Sequence, residues 1–236
     1  DTSESYKTIA RKELLHIYET EKEWQKAIDE ANIIQRQSGE DQSTRIAQLY
    51  CELTQQNLYF KNFKGAAEAL EKALKVDPNN KRALIIKGKM LKAKGDIDGA
   101  LATWKQVGQI SPVYGTLVVE QIASLLLEAG RKEEAVKYLE DLFKDGSTTD
   151  EVDTAGILLG KAGNSKEAIT LIQEHLKTQP TLVAFYRLID LRLANEPENE
   201  SLKQLHGLLK NMLSKAVRYK CTKCGFATRK FLWRCP

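Results

Sequence analysis

Three of the four cysteines in this 236-residue chain lie within its last sixteen residues, a clustering that indicates metal binding rather than disulfides. Cys221 and Cys224 form a C-x-x-C-G turn with Gly225, in which two thiolates can bind one ion while glycine lets the backbone bend tightly beneath the sulfurs. The second half of such a site begins at Cys235-Pro236. We therefore predict one metal ion, zinc or iron, in a tetrahedral thiolate site whose fourth ligand is a cysteine just beyond the given chain.

Free thiols or a redox-active pair are the alternative interpretation of these cysteines. A module of eighteen or so residues cannot build its own core, so the metal would be its main source of order. Structural zinc supplies on the order of 10–16 kcal/mol of apparent binding free energy in small finger peptides. Phe231 and Trp233 alternate between the ligands in the manner of a short strand.

Cys51 stands apart, beside Tyr50 and Leu53, and is expected to be a buried thiol rather than a nucleophile.

The net charge of +4 conceals an asymmetry between the body of the chain and its tail. After Glu200 there are nine lysines and arginines and no acid, which leaves 27 basic and 32 acidic residues before it. A basic tail could meet nucleic acid, anionic headgroups or an acidic protein surface, or simply be a solvated face near thiolates.

No stretch approaches the roughly 18 apolar residues of a membrane span, so we expect this fragment to be soluble. Thiolate sites favour a reducing compartment, which indicates the cytoplasm or a surface facing it.

A 34-residue period organises the rest of the sequence. Turn residues recur at this interval at Pro78, Pro112, Gly146 and Pro180. A small residue opens a second helix in each unit, at Ala66, Ala100, Ala135 and Ala168, and a turn precedes each of them. Small residues let two helix backbones approach closely, and the pattern resembles that of the tetratricopeptide family at Gly88, Ala100, Trp104 and Pro112, and again at Gly156, Ala168, Ile172 and Pro180.

These signals predict an all-α protein, a tetratricopeptide-type helical solenoid with a small C-terminal metal knuckle that resembles rubredoxin in its C-x-x-C-G and C-P motifs. We expect about five helical pairs followed by a capping pair that covers the last open face. The predicted domains are the repeats at 1–194, a capping helix and linker at 195–217, and the metal-binding module at 218–236, truncated before its last ligand.

The first helix of each unit should line a groove that binds protein partners. The repeat register assigns basic and amide residues to this groove in the earlier units and acidic residues in the later ones, namely Gln48, Gln55, Arg82, Lys89, Lys92, Glu120, Asp150 and Asp153. Such a gradient would orient a charged partner, whereas a solvated surface without a partner is the plainer interpretation.

The combination of repeats and knuckle resembles the lipopolysaccharide assembly protein B family of Gram-negative bacteria. C-x-x-C-G followed by C-P resembles the paired knuckles of rubredoxin. The helices around Trp24, Cys51 and Pro180 are also similar to those of the family, so that the likeness spans nearly the whole chain. Two departures are that the chain lacks the family's N-terminal membrane helix with its earliest repeats, and the fourth metal ligand.

This resemblance implies an adaptor without chemistry of its own, held at the cytoplasmic face of the inner membrane by an N-terminal helix that is absent here. Its partners would be the membrane protease FtsH, the lipid A pathway deacetylase that FtsH degrades, and the lipopolysaccharide assembly machinery. The family's metal module docks onto its repeats. By promoting degradation of the deacetylase, the adaptor restrains lipopolysaccharide synthesis. Assembly into a homo-oligomer is left open.

The sequence contains no pattern typical of an enzyme. His16, His175 and His206 are far apart and belong to no metalloprotease motif, and no nucleophile elbow or phosphate-binding loop is present. Two other functions compete with the adaptor. A rubredoxin-type electron carrier requires iron, and a basic zinc-knuckle nucleic-acid-binding protein requires an affinity that falls steeply with salt.

Overall fold

The computed structural model describes residues 2–143 and 148–235, with the side chains of residues 2–5 left out, so that Gly146 and Pro236 of the patterns above lie outside the described residues. Within these ranges the chain forms thirteen helices and one two-stranded sheet. The chain divides into two compact units, Asp1–Val118 and Val119–Pro236. The all-α repeat fold is confirmed.

The first unit consists of seven helices, and consecutive helices pack against each other as hairpins. They are α1 (Thr2–Thr20), α2 (Trp24–Ser38), α3 (Ser43–Tyr59), α4 (Phe63–Val76), α5 (Lys81–Ala93), α6 (Ile97–Ile110) and the short α7 (Pro112–Gly115). The second unit contains α8 (Val119–Glu128), α9 (Lys132–Asp141), α10 (Thr149–Lys161), α11 (Ser165–Thr178), α12 (Leu182–Asn195) and α13 (Glu200–Lys215), followed by β1 (Tyr219–Lys220) and β2 (Ala227–Thr228).

Polar caps set where several helices begin. The side chains of Asn62, Asn80 and Asp96 accept hydrogen bonds from backbone N–H groups in the first turns of α4, α5 and α6, which would otherwise lack partners. Thr148 and Glu151 form a reciprocal capping box at the start of α10. The predicted turns between paired helices therefore have a local origin in the sequence.

Small residues bring paired helices together as the repeat pattern predicted. Trp104 of α6 is fully buried and lies against Gly88 of α5, while its Nε1 donates a hydrogen bond to the carbonyl oxygen of Ile85 at 3.2 Å. Gly156 of α10 lies in the same way against Ile172 of α11. Each of these crossings places a large side chain over a glycine.

An ionic ladder links the first helices α1, α3 and α5 in the first unit, and α10 and α12 in the second. In every case an arginine pairs with an acid on the first helix of the preceding repeat. The pairs are Arg45–Glu19 at 2.8 Å and Arg82–Glu52 at 2.8 Å in the first unit, and Arg187–Asp153 at 2.9 Å in the second. The last two pairs are mostly buried, with side-chain exposures between 10% and 22%.

Candidate metal centre and its contacts with the repeats

Two of the three candidate metal ligands, Cys221 and Cys224, lie in the turn of a small antiparallel hairpin, and Cys235 follows the hairpin in the chain. Strands β1 and β2 pair with Tyr219 opposite Thr228. At its end the N–H of Cys221 donates to the carbonyl oxygen of Phe226 at 2.8 Å, and the N–H of Gly225 donates to that of Cys221 at 3.0 Å. Gly225 has φ +74°, a left-handed conformation that glycine adopts at low cost. The predicted C-x-x-C-G turn is therefore a closed knuckle.

The three thiol groups converge on one point. The sulfurs of Cys221, Cys224 and Cys235 all lie within 4.8 Å of one another, and the last two are 3.6 Å apart. Thiolates around a tetrahedral zinc at a bond length of about 2.3 Å are separated by roughly 3.8 Å, so this donor set fits a thiolate-bound ion. Among the residues that the structure describes, no other group of three or more His, Cys, Asp and Glu side chains is arranged in this way.

The two ends of the knuckle differ in acidity. The pKa of Cys221 is lowered to about 7, chiefly because the backbone N–H of Cys224 donates toward its sulfur, with help from the side chain of Cys235. The pKa of Cys235 is raised to about 12, chiefly by its contacts with the sulfurs of Cys221 and Cys224. The thiolate form of Cys221 is thus favoured near neutral pH. A bound cation would favour the thiolate form of the other two cysteines as well, because metal ligands must be deprotonated.

Aromatic rings take the place of a core in the module. Tyr219 and Phe231 meet edge to face with ring centroids 5.6 Å apart, and Phe231 meets Trp233 in the same way at 4.8 Å. Phe226 remains exposed. The alternation of Phe231 and Trp233, which suggested a strand, instead serves ring packing, because both side chains are half-buried and lie outside the sheet.

A charged contact joins the knuckle to the repeats of the same unit. Arg218 donates from Nη2 to Asp150 Oδ1 of α10 at 2.8 Å and from Nε at 3.2 Å. This carboxylate raises the pKa of the Arg218 guanidinium. The backbone N–H of Arg218 also donates to the carbonyl oxygen of Thr228 at 3.2 Å, so one residue is bonded both to the hairpin and to α10.

Beside this contact is a cleft of ≈ 410 Å³ between α10, α12, the end of α13 and the hairpin. Asp150, Asp153, Arg187, Arg218 and Arg229 supply its charged lining, and apolar side chains of α12 and α13 supply much of the remainder. The cleft carries three cations and two anions, so its charges are largely compensated from within.

Arg187 is the centre of a second network. It pairs with Asp153 at 2.9 Å and also with Asp190, which in turn contacts Nε2 of His206 at 3.0 Å. The His206 ring stacks on Tyr186 with centroids 4.9 Å apart. His206 thus anchors α13 to α12. Of the other histidines, His175 is buried and His16 is exposed.

The predicted groove residues of the first unit differ widely in exposure. Gln55 and Lys89 are exposed, whereas Gln48 and Lys92 are half-buried. Arg82 is 8% exposed and engaged with Glu52, so little of its charge reaches solvent. The assignment of these residues to a partner-binding groove stays a prediction.

In the second unit Glu120 is exposed, while Asp150 and Asp153 are half-buried and paired with arginines. Sequence reasoning did not single out Arg187 and Arg218, the partners of these acids. Arg187 follows Asp153 by 34 residues, which is the repeat period, so a search for opposite charges at that spacing would have found it. Arg218, 68 residues after Asp150, offers no such signal.

The helical repeats of this chain match a known protein family. A family model described as tetratricopeptide repeat-like domain matches residues 32–198, well over half of the chain. The chain belongs to the tetratricopeptide repeat-like family. This assignment agrees with the alternation of paired helices and close glycine crossings. Helical repeats of this kind expose extended surfaces that generally bind proteins.

Two relatives of this tetratricopeptide-like chain share the name lipopolysaccharide assembly protein B. The protein of Escherichia coli K12 is 30% identical over 232 residues, and that of Haemophilus influenzae Rd is 28% identical over 238 residues. Each alignment covers 96% of this chain but only 59% and 58% of the relative. These identities confirm the resemblance to lipopolysaccharide assembly protein B. The chain spans little more than half the length of those proteins.

A solved structure supports the fold alone. The C-terminal part of a repeat-containing protein from Cytophaga hutchinsonii aligns with a TM-score of 0.52 at 13% identity, covering 86% of this tetratricopeptide-like chain and 79% of the other. In the part of the chain that the structure describes, no helix combines the length and apolar character needed to cross a bilayer.

Proposed function

We propose that the protein is a non-catalytic adaptor that regulates lipopolysaccharide synthesis. The observation that carries this proposal is the similarity to lipopolysaccharide assembly protein B over 96% of the chain, in a protein that combines helical repeats with a cluster of three cysteines. In more detail, the adaptor presents the deacetylase of the lipid A pathway to the membrane protease FtsH and so limits how much of that enzyme accumulates.

The proposed organisation assigns residues 1–194 to the repeats, 195–217 to a capping helix and linker, and 218–236 to the metal-binding module. The repeats bind the protein partners through the first helices of each unit, where Gln55 and Lys89 are exposed in the first unit and Glu120 is exposed in the second. As the resemblance to lipopolysaccharide assembly protein B implies, an N-terminal membrane helix would hold this assembly at the cytoplasmic face of the inner membrane.

The module would hold one zinc or iron ion on Cys221, Cys224, Cys235 and a fourth cysteine outside the given chain. Such an ion supplies a cross-link between the two halves of the knuckle and thereby orders a segment that has no hydrophobic core. The side chain of Arg218 then positions the ordered knuckle against Asp150, where the module can influence α10.

The proposal is tested by the half-life of the deacetylase after protein synthesis is stopped. Cells depleted of the full-length adaptor should degrade the deacetylase more slowly, and re-expression of the full-length protein should restore the rate. A Cys221→Ser variant should fail to restore it, whereas Cys51→Ala, which removes a thiol outside the metal centre, should succeed if its helix content is normal. An unchanged half-life in depleted cells would reject the adaptor mechanism.

A further inference from the structure

The first unit carries an apolar groove that none of the assignments above uses. It lies between α4 and α5, has a volume of ≈ 510 Å³, and is built chiefly from apolar atoms. Leu70 and Leu74 of α4 and Met90 and Leu91 of α5 form its floor. Leu70 is buried, and the other three are half-buried, so they keep part of their surface in contact with solvent.

This groove is separate from the predicted partner groove. Successive helical residues are rotated by about 100°, so Lys89 of the predicted groove points roughly opposite to Lys87 and Leu91. Lys87 and Leu91 line the apolar groove, and Lys89 does not. The two surfaces therefore occupy different sides of α5.

Three lysines surround the apolar floor. Lys75 lies in the last turn of α4, Lys87 lies within α5, and Lys94 follows the end of α5. The side chains of all three are exposed. Because a short turn makes α4 and α5 antiparallel, Lys75 and Lys94 lie toward opposite ends of the groove. Among residues 2–143 and 148–235 none of these ammonium groups has a carboxylate partner. Glu71 is the single acid in the lining.

We propose that this groove binds an acidic amphipathic helix of a partner protein. From Ala67 to Leu74 the lining extends along eight residues of α4, or roughly 10 Å, which matches two turns of a helix laid along it. Leucine-like side chains spaced three and four residues apart would enter the floor, and glutamates or aspartates on both flanks would reach the lysines. The net positive rim selects an acidic partner over a basic one. The proposal depends on this surface alone and does not require the function proposed above.

The probe is a fluorescein-labelled helical peptide of about 15 residues, with one leucine stripe flanked by glutamates. Its anisotropy should rise saturably with the intact protein, with a Kd on the order of 10–100 µM because the groove is far smaller than a standard interface. A peptide with lysines in place of glutamates, and one with serines in place of leucines, should not bind. Equal binding of either control peptide, or no binding of the acidic one, would overturn the proposal.

The site is checked by charge reversal. The double variant Lys87→Glu/Lys94→Glu should bind the acidic peptide about tenfold more weakly. Lys132→Glu/Lys137→Glu, which changes two exposed lysines of α9 in the other unit, alters the net charge equally and should bind normally. A similar loss of affinity in both double variants would mean that the peptide responds only to the net charge of the protein, and the assignment of the site to this groove would be wrong.

The two methionines provide a direct readout of position. With 13C-labelled methionine methyl groups, the acidic peptide should shift the Met90 signal and leave that of Met212, on α13, unchanged. An anionic membrane surface is the competing occupant. If vesicles with about one third phosphatidylglycerol shift Met90 while the peptide does not, the groove is a lipid contact and the proposal is wrong.

Discussion

A Cβ atom placed on Gly88 would lie 2.2 Å from Nε1 of Trp104, so α5 and α6 meet where the space admits only a hydrogen atom. Trp104 has no exposed surface and its indole N–H is already bonded to Ile85, which prevents it from turning away freely. The identity of residue 88 is thus set by a neighbour sixteen positions later in the chain.

Gly88→Ala should lower the free energy of unfolding by about 1–3 kcal/mol, because the methyl group forces the indole out of its position. Urea unfolding followed by circular dichroism measures this. Gly207→Ala is the matched control, since a Cβ on Gly207 in α13 would meet nothing within 4 Å. That substitution should be neutral or stabilise the helix by up to about 1 kcal/mol. Equal effects of the two substitutions would contradict the close crossing.

Glu52→Gln should destabilise the first unit by about 1–3 kcal/mol, because it replaces the carboxylate that lies 2.8 Å from the buried guanidinium of Arg82 with a neutral amide. The control is Glu174→Gln, which breaks an ion pair of similar length with Lys177 whose side chains are 63% and 67% exposed. That change should stay within about 0.5 kcal/mol. Thermal unfolding of both variants measures the two changes in stability. If Glu52→Gln left stability unchanged, burial would not strengthen the contribution of the Arg82–Glu52 ion pair.

Breaking the Arg218–Asp150 contact should loosen the knuckle while leaving the helices folded. In metal-loaded protein, Asp150→Asn should speed amide hydrogen exchange in residues 219–228. The effect should be small, about 0.2–1 kcal/mol, because the Arg218 side chain is 47% exposed, and it should shrink as salt is added. Glu133→Gln, an exposed acid on α9, should change nothing. Exchange rates that match between the two variants would argue against the docking contact.

In metal-free protein, iodoacetamide should modify Cys221 before Cys235. The pKa of Cys221 is lowered to about 7, so half of it is thiolate at that pH and the reactive fraction falls about tenfold per unit below it. Cys235, whose pKa is raised to about 12, and buried Cys51, whose pKa burial also raises to about 12, should react slowly throughout. Mass spectrometry from pH 5 to 9 follows the three sites separately.

Adding zinc should protect Cys221, Cys224 and Cys235 together, because thiolates bound to a metal are shielded from alkylation. Cys51 provides the internal control, since its protection should depend on folding alone. A uniform rate at all cysteines, with or without zinc, would rule out both the acidity difference and the shared metal centre.

Much of this architecture is encoded locally, which is why the sequence predicted it. The C-x-x-C-G spacing alone brings two sulfurs together, and an Asn or Asp before a helix identifies its first turn. The crossing of Gly88 with Trp104 follows from the repeat pattern, because each member occupies a fixed place in the period.

Contacts between distant residues were harder to predict. Asp150 and Asp153 were assigned to a groove by register without their ion-pair partners. Arg187 lies one repeat period after Asp153, whereas Arg218, the partner of Asp150, lies outside the repeats. Arg82 shows the same limit, since burial and pairing with Glu52 depend on how α3 meets α5 rather than on the residue's place in its own helix. The cluster of Tyr219, Phe231 and Trp233 likewise depends on the fold of the knuckle.

The ionic ladder has a consequence for how such a chain can evolve. Because each participating arginine reaches back to the preceding repeat, a unit that carries both an arginine and an acid on its first helix is complementary to copies of itself. Gene duplication of that unit would create a new junction whose charges already match. Repeat number could therefore grow or shrink without a second compensating mutation.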